Sequence, residues 1–265
     1  MKRWIPFLNS DPQVNVIRLS GMISASGRGT LNDARLAPVI EKAFTRGKPA
    51  AVALQINSPG GSPVQSSLIG ARLRRLAEEK NIPLIAFVED VAASGGYWLA
   101  AAADEIYADD SSLIGSVGVI SASFGAHELL ARHGVERRVY TAGKSKSMLD
   151  PFRPENPEDV ERLKGLLEDI HTNFKEHVAA RRKGKLPEDQ DLFTGEVWMA
   201  RRAQELGLID GIGHMKPLLQ QRFGDKVQLR AFGARKSLMA RFGASIMDDA
   251  LQSVEERSAF AQYGL

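Results

Sequence analysis

The chain has 265 residues, with 35 Lys and Arg against 32 Asp and Glu, a formal net charge of +3 and no cysteine. At about 150 residues per domain, this length fits one large α/β domain, and the ordinary apolar share predicts a sizeable core. The lack of cysteine excludes a disulfide scaffold, a thiolate zinc site and a cysteine nucleophile. The small net charge gives no support to a nucleic-acid binder, which concentrates its basic residues on one face.

The chain contains no run of about 18 apolar residues, so no membrane-spanning helix is predicted. Residues 1–8 begin like a signal peptide, with an apolar tip at residues 4–8, but residues 9–12 (NSDP) end the apolar stretch too early. We therefore expect a cytoplasmic protein, with peripheral membrane contact through this apolar tip as an alternative. The pattern divides into an N-terminal segment (1–13), a main domain (14–230, including a long helix at 157–183) and a helical C-terminal tail (231–265).

The first half of the chain predicts apolar strands that alternate with amphipathic helices. Pro63 suits the first turn of the second helix, and Pro38 is expected in the first turn of a helix that begins later than residue 31. The alternation predicts a parallel sheet covered on both faces, with ligand sites at the carboxyl ends of the strands. The predicted strands are 14–19, 51–56, 83–88, 105–108 and 117–120, and the predicted helices are 31–44, 64–76 and 97–103.

The second half is more helical. Apolar residues recur every three or four positions from Val160 to Val178, which predicts one long amphipathic helix. It ends in the basic residues 181–185, which could contact nucleic acid or an anionic membrane but more often form a solvated helix end. A further helix runs through Ala203 and Leu206. From about Arg230 the pattern weakens into one amphipathic helix and a loose tail.

Two glycine-containing turns fall at predicted strand ends. Residues 92–97 (AASGGY) hold Ser94, which could point its hydroxyl into a cleft as a nucleophile beside unpaired helix amides, or could simply cap the helix. Residues 57–63 (NSPGGSP) could present backbone N–H donors to a ligand, or form a plain turn. Taken singly, each of these motifs favours the plain structural interpretation over the functional one.

Two further patterns are weaker. Residues 143–147 (GKSKS) are not a phosphate-binding loop, because Arg138 stands where that motif needs glycine. A lysine here could act as a general base, although a solvated lysine pair is the commoner case and the one we favour for Lys144. No histidine has metal-binding spacing, no nucleophile-elbow motif accompanies them, and a Ser-His-Asp triad is unsupported. The histidines are His127, His133, His171, His177 and His214.

Taken in order, five motifs resemble the signal peptide peptidase A family, S49-type serine peptidases related in fold to the Clp protease and the crotonases. The motifs are 57–61 (NSPGG), 92–97 (AASGGY), 115–119 (GSVGV), 143–152 (GKSKS through Pro-Phe) and 193–195 (FTG) with 207–210 (GLID). The resemblance runs from about Val14 to Gly213. It implies an α/β fold, namely a crotonase/Clp-like repeated ββα superhelix with a parallel sheet flanked by helices and a helical oligomerisation extension.

The resemblance also implies roles for individual residues. Ser94 matches the nucleophile, Lys146 the base, Gly61 and Gly95 the oxyanion donors, and Ser116 a serine that orients the lysine. A neutral lysine can take the serine proton if its surroundings are apolar enough, so the Ser-Lys scheme is chemically consistent. The histidine base of Clp-type enzymes is not expected, because Val119 stands at that position.

The resemblance implies a peptide or unfolded-protein substrate, no metal or organic cofactor and no nucleic-acid partner. Because the chain carries a single set of motifs, we expect a homo-oligomer, an octamer-like ring in which neighbouring subunits share each site. Many family members carry an N-terminal membrane anchor, and no such pattern is present here. Two alternatives stay open: a catalytically silent oligomeric scaffold that binds peptides or organises membrane proteins, and a crotonase-type acyl-CoA enzyme.

Overall fold

The computed structural model describes residues 11–27, 29–233 and 257–265. Within these ranges, the strands are β1 (Gln13–Ser20), β2 (Ala51–Ser58), β3 (Leu84–Ala93), β4 (Glu105–Ala108), β5 (Leu113–Gly115), β6 (Val197–Met199), β7 (Gly211–Ile212) and β8 (Gln228–Phe232). The helices are α1 (Asp33–Thr45), α2 (Pro63–Lys80), α3 (Gly95–Ala101), α4 (His127–Arg132), α5 (Pro157–Arg181), α6 (Ala200–Glu205) and α7 (Met215–Phe223). Residues 257–261 are also helical.

The strands form one sheet in the order β6-β5-β3-β2-β1-β8, and β4 pairs with both β3 and β7. Neighbouring strands are parallel, except that β5 and β6 are antiparallel. Helices flank this sheet, so the predicted α/β class with a largely parallel sheet is confirmed.

The strand alternation divides the core between the two faces of the sheet. On one face, side chains such as Leu54 pack with α1, α2, α3 and α5, where Phe44 and Tyr97 are almost fully buried. On the other face, Ala53 and Phe87 pack with Leu219 of α7. The buried strands consist almost entirely of apolar residues because both of their faces are covered.

β3 changes its neighbour along its length, and this change positions the end of the strand. Its first part pairs with β4, from Ile85 to Val88, and its last part pairs with β5, from Val91 to Ala93. The register against β2 also shifts within this stretch. Such irregularities bend a strand and redirect the residues that follow it.

Three sequence expectations are corrected. Residues 117–120 are not a strand, because the chain enters the sheet earlier, as β5, and leaves it at Gly115. α1 begins after residue 31, as expected, but Pro38 lies in its second turn, because the Asn32 side chain caps the helix by accepting a hydrogen bond from the Arg35 amide at 3.0 Å. No strand was predicted where the sequence pattern weakens, but β8 lies there and pairs with β1.

None of the helices in the described ranges is long and apolar enough to cross a membrane. The apolar tip at residues 4–8 and residues 234–256 of the expected C-terminal tail lie outside the described residues.

Candidate active site

Ser94 lies in the sharp turn between β3 and α3. Its backbone has φ 51° and ψ −123°, a conformation that costs an L-residue about 1–3 kcal/mol. The Ser94 amide donates to the Gly115 carbonyl at 2.8 Å, and the Trp98 amide donates to the Ser94 carbonyl at 3.0 Å. Although Ser94 occupies the N-cap position of α3, its hydroxyl makes no capping hydrogen bond and instead borders a groove. The simple capping interpretation is therefore wrong.

Glycines let neighbouring segments approach closely around Ser94. A Cβ atom on Gly96 would lie 2.3 Å from the Ser58 carbonyl oxygen, and one on Gly95 would lie 2.3 Å from Ser66 Oγ. A Cβ atom on Gly60 would lie 2.8 Å from the Gly95 amide nitrogen. The turn after β2 therefore packs directly against the turn that carries Ser94.

Gly61 is fixed in a similarly crowded place. Its φ is 139°, and an added Cβ atom would lie 2.0 Å from the Ile23 carbonyl oxygen. The Ile23 amide donates to the Gly60 carbonyl at 2.8 Å, and the Ser62 amide donates to the Ile23 carbonyl at 2.8 Å. The amides of Gly61 and Gly95 have no acceptor among the described residues, and both glycines border the groove beside Ser94.

Ser116 lies on the adjacent strand end. Its φ is 53°, its amide donates to the Glu196 carbonyl at 2.6 Å, and its carbonyl accepts from the Gly118 amide at 2.9 Å. Because Ala93 and Gly115 are register partners, the turns that carry Ser94 and Ser116 leave the sheet side by side. Both serines border the same groove.

The groove has a volume of about 620 Å³ and a largely apolar wall. A groove of this size and character suits a short extended segment with apolar side chains. Large apolar side chains of the wall include Met22, Trp98, Val119, Ile120, Ile170 and Phe174.

Two parts of the groove were not predicted from the sequence. α5 contributes His171, whose Nε2 lies 3.2 Å from the Val117 carbonyl oxygen. Its position next to Ile170 on an apolar helix face was a signal that could have identified it. The segment 257–265 covers another part, where Ala259 and Gln262 line the groove and the Tyr263 hydroxyl lies 3.5 Å from Ser116 Oγ.

Lys146 is the one predicted site residue that does not line the groove. It is exposed in a turn-rich stretch after Gly143. The region around it, residues 119–153, exposes large apolar side chains: Ile120 is 86% exposed, Phe124 89% and Tyr140 90%. The four other residues predicted for the site, Ser94, Gly61, Gly95 and Ser116, share one groove.

The 207–210 motif lies outside the groove and forms hydrogen bonds that hold α3 and α5 in place. Arg182, at the end of α5, is buried and donates to the Gly207 carbonyl and to Asp210, each through a hydrogen bond of 2.8 Å or less. Burial alone would raise the pKa of Asp210, but hydrogen bonds from Arg182 and Lys185 hold it below its usual range. The buried Tyr97 hydroxyl donates to the Leu208 carbonyl at 2.8 Å, so this motif anchors α3 and α5 and takes no part in the groove.

Comparisons with known proteins show the family to which the chain belongs. The model of peptidase family S49 matches residues 76–227. An Arabidopsis thaliana protein named "Serine protease SPPA, chloroplastic" is 32% identical over 222 residues, covering 80% of this chain and 32% of that protein. A Haemophilus influenzae protein named "Probable protease SohB" is 30% identical over 246 residues, covering 92% of this chain and 68% of that protein.

A higher identity is found with a protein of different name. The Brucella abortus protein "Na(+)/H(+) antiporter NhaA" is 48% identical over 286 aligned residues, which cover 100% of this chain and 39% of that protein. A Brucella melitensis protein of the same name matches over the same shares. The chain thus spans about two fifths of the length of these two relatives.

Proposed function

Because the chain belongs to peptidase family S49, we propose that it is a serine endopeptidase that cuts extended peptides, with Ser94 as the nucleophile. The observation that carries the proposal is the Ser94 turn itself. Its uncommon backbone conformation holds an uncapped hydroxyl at the wall of an apolar groove. Strain of this kind persists where the surrounding structure enforces it, which is typical of catalytic sites.

The proposed reaction uses a lysine as the general base. Lys146 takes the Ser94 hydroxyl proton as Oγ attacks the scissile carbonyl carbon. The amides of Gly61 and Gly95 donate to the resulting oxyanion. As the C–N bond breaks, the lysine returns the proton to the leaving amine. Water then attacks the acyl-enzyme while the Lys146 amine takes its proton, which passes to Ser94 Oγ as the acyl–oxygen bond breaks. Ser116 orients the lysine through its hydroxyl.

We propose that the lysine comes from a neighbouring copy of the chain. The exposed position of Lys146 away from the groove supports this arrangement, since one chain alone leaves the site without its base. The exposed apolar side chains of residues 119–153 support it as well, because a surface of this kind is usually covered by a partner. We propose that this segment forms the ring contacts of a crotonase/Clp-like assembly.

The first experiment measures cleavage of an unstructured protein by the wild type, Ser94→Ala and Lys146→Ala. We expect turnover by the wild type and by Lys144→Ala, the matched control, and none by Ser94→Ala or Lys146→Ala. Cleavage that survives Ser94→Ala would reject Ser94 as the nucleophile. If the wild type does not cleave but binds peptides intact, the silent scaffold is the better function. Binding of CoA thioesters would instead favour the acyl-CoA enzyme.

A second experiment tests the shared site. Ser94→Ala and Lys146→Ala chains are mixed under conditions that exchange subunits, and native mass spectrometry confirms mixed assemblies. Because a mixed ring pairs an intact Ser94 with an intact Lys146 at some interfaces, we expect part of the activity to return. Mixed assemblies without activity would reject a site shared between subunits.

A further inference from the structure

α5 crosses behind both turns of the site and bonds to each of them. His177 Nε2 lies 3.1 Å from the Trp98 carbonyl oxygen, and His171 Nε2 lies 3.2 Å from the Val117 carbonyl oxygen. Trp98 belongs to α3, which follows Ser94, and Val117 follows Ser116. Two imidazoles on one helix thus reach the two segments that carry the serines of the groove.

The first of these bonds completes the end of α3. The last four carbonyls of a helix lack partners within it, and α3 is only seven residues long. The Ala102 amide bonds to the Leu99 carbonyl rather than to that of Trp98, so His177 supplies the side-chain donor at Trp98. Arg181 does the same for the Ala101 carbonyl at 3.2 Å.

Ring stacking also fixes the side chains of Trp98 and His177. The rings of Trp98 and His177 are parallel, with centroids 4.4 Å apart and an interplanar angle of 6°. On the same helix, the Phe174 ring lies 5.1 Å from that of Trp98. Because a carbonyl oxygen only accepts, Nε2 of His177 carries a proton. Burial lowers the pKa of this imidazole, which favours the neutral ring with a single N–H.

The connection to Ser94 passes through the main chain. The Trp98 amide donates to the Ser94 carbonyl at 3.0 Å, and its own carbonyl accepts from His177. A displacement of Trp98 therefore changes the turn that aims the Ser94 hydroxyl. His171 has the equivalent relation to Ser116, since Val117 is the next residue.

We propose that His171 and His177 are positioning residues for the Ser94–Ser116 site, which they hold to α5 through hydrogen bonds to main-chain carbonyls. This inference rests on the proposed function and extends it to two residues outside the Ser-Lys scheme. Neither imidazole transfers a proton in it. Their contribution is to the placement of the reacting groups, where an error of about 1 Å can cost about a hundredfold in rate.

The test separates the hydrogen bond of His177 from its ring. His177→Gln keeps a donor near the position of Nε2 but loses the ring, whereas His177→Phe keeps the ring and loses the donor. We expect His177→Phe to lower kcat about ten- to a hundredfold with little change in KM, and His177→Gln to recover most of the loss. For His171, which also borders the groove, His171→Gln should preserve kcat better than His171→Leu.

Val178→Ala is the matched control on the same helix. Val178 is fully buried in the core but bonds to neither turn, so its truncation lowers stability without touching the carbonyls of Trp98 or Val117. We expect its kcat to stay near that of the wild type at a temperature where both are folded. If Val178→Ala loses as much kcat as His177→Phe, or if His177→Phe is fully active, the positioning role is rejected.

Hydrogen exchange gives a readout that does not depend on turnover. We expect His177→Phe to speed exchange in the peptide spanning residues 95–101, and Val178→Ala to leave that peptide's protection relative to the rest of the core unchanged. If the wild type lacks peptidase activity but the two variants differ in exchange in this way, the proposed function is refuted and the positioning role is kept. Equal exchange in the two variants would refute the positioning role alone.

Discussion

The Ser94 amide donates a 2.8 Å hydrogen bond to the Gly115 carbonyl, and this bond joins the two strand ends from which the site is built. It continues the β3–β5 pairing by one residue beyond Ala93. Immediately after this bond, the segments that follow β3 and β5 both turn through residues with positive φ, at Ser94 and Ser116. The sheet therefore fixes where the backbone of the candidate nucleophile begins its turn.

Substitution of Ser94 should reveal the strain in its turn. We expect Ser94→Gly to exceed Ser94→Ala in free energy of unfolding by about 1 kcal/mol, because glycine adopts a φ of 51° without steric cost. Urea unfolding of the two inactive variants measures the difference. Without strain, Ala would be the more stable residue, since it loses less conformational entropy on folding, and that result would contradict the prediction.

Gly61→Ala should abolish most activity. The added Cβ atom would lie 2.0 Å from the Ile23 carbonyl oxygen, so the turn must move and displace the Gly61 amide. Loss of one oxyanion donor costs about 10²–10³ in kcat, and we expect a decrease of that size in steady-state assays.

Gly165→Ala is a suitable control for this substitution. Gly165 is exposed in the middle of α5, and a Cβ atom there would meet no atom within 4 Å. We expect unchanged kcat and a gain of about 1 kcal/mol in stability, since Ala is the better helix former. Full activity in Gly61→Ala would reject an oxyanion role for that amide.

Acid should destabilise the protein partly through His177. Burial lowers the folded-state pKa of this imidazole, so between that value and about 6.5 the unfolded chain binds a proton that the folded chain does not. The free energy of unfolding therefore falls as the pH drops below about 6.5, by at most about 1.4 kcal/mol per pH unit from this group.

His177→Gln should lose this component of the pH dependence. Urea unfolding at pH 7.5 and pH 5.5, at one protein concentration, compares the variant with the wild type. His133→Gln, which replaces an exposed histidine, should retain the wild-type slope. The same decrease with acid in His177→Gln and in the wild type would show that another group is responsible.

The segment 257–265 should restrict access to Ser94, because it lines the groove and places the Tyr263 hydroxyl 3.5 Å from Ser116 Oγ. The chain has no cysteine, so Ser94→Cys introduces a single thiol whose alkylation rate reports access. We expect Tyr263→Ala, or removal of residues 257–265, to raise that rate several-fold. Tyr140→Ala, at a tyrosine 90% exposed, should not change it. An unchanged rate after removal would show that the segment leaves the thiol accessible.

Much of the sheet could be predicted because buried parallel strands contain continuous apolar runs, as in the first halves of β2 and β3. The pattern failed where apolar character has another origin. Val119 and Ile120 border the groove instead of pairing in the sheet, and the sequence alone does not distinguish such residues from a strand. β5 is too short to give a signal, and β8 has mostly exposed side chains.

The candidate site was predicted unevenly for a similar reason. Ser94, Gly61 and Ser116 belong to local motifs at strand ends, so their neighbourhood follows from the parallel topology. The positions of His171 and Tyr263 depend on how distant segments pack, which no local pattern encodes. The exposed position of Lys146 within one chain is likewise a property of tertiary structure.

The hydrogen bond from the Ser116 amide to the Glu196 carbonyl has a consequence for biosynthesis. Ser94 and Ser116 leave the ribosome well before Glu196, and the turn at Ser116 lacks its acceptor until then. α5, which bonds to both turns, is also made after the serines. A nascent chain therefore carries both serines for some time without the contacts that fix their turns, and the candidate site is assembled only after Glu196 has been made.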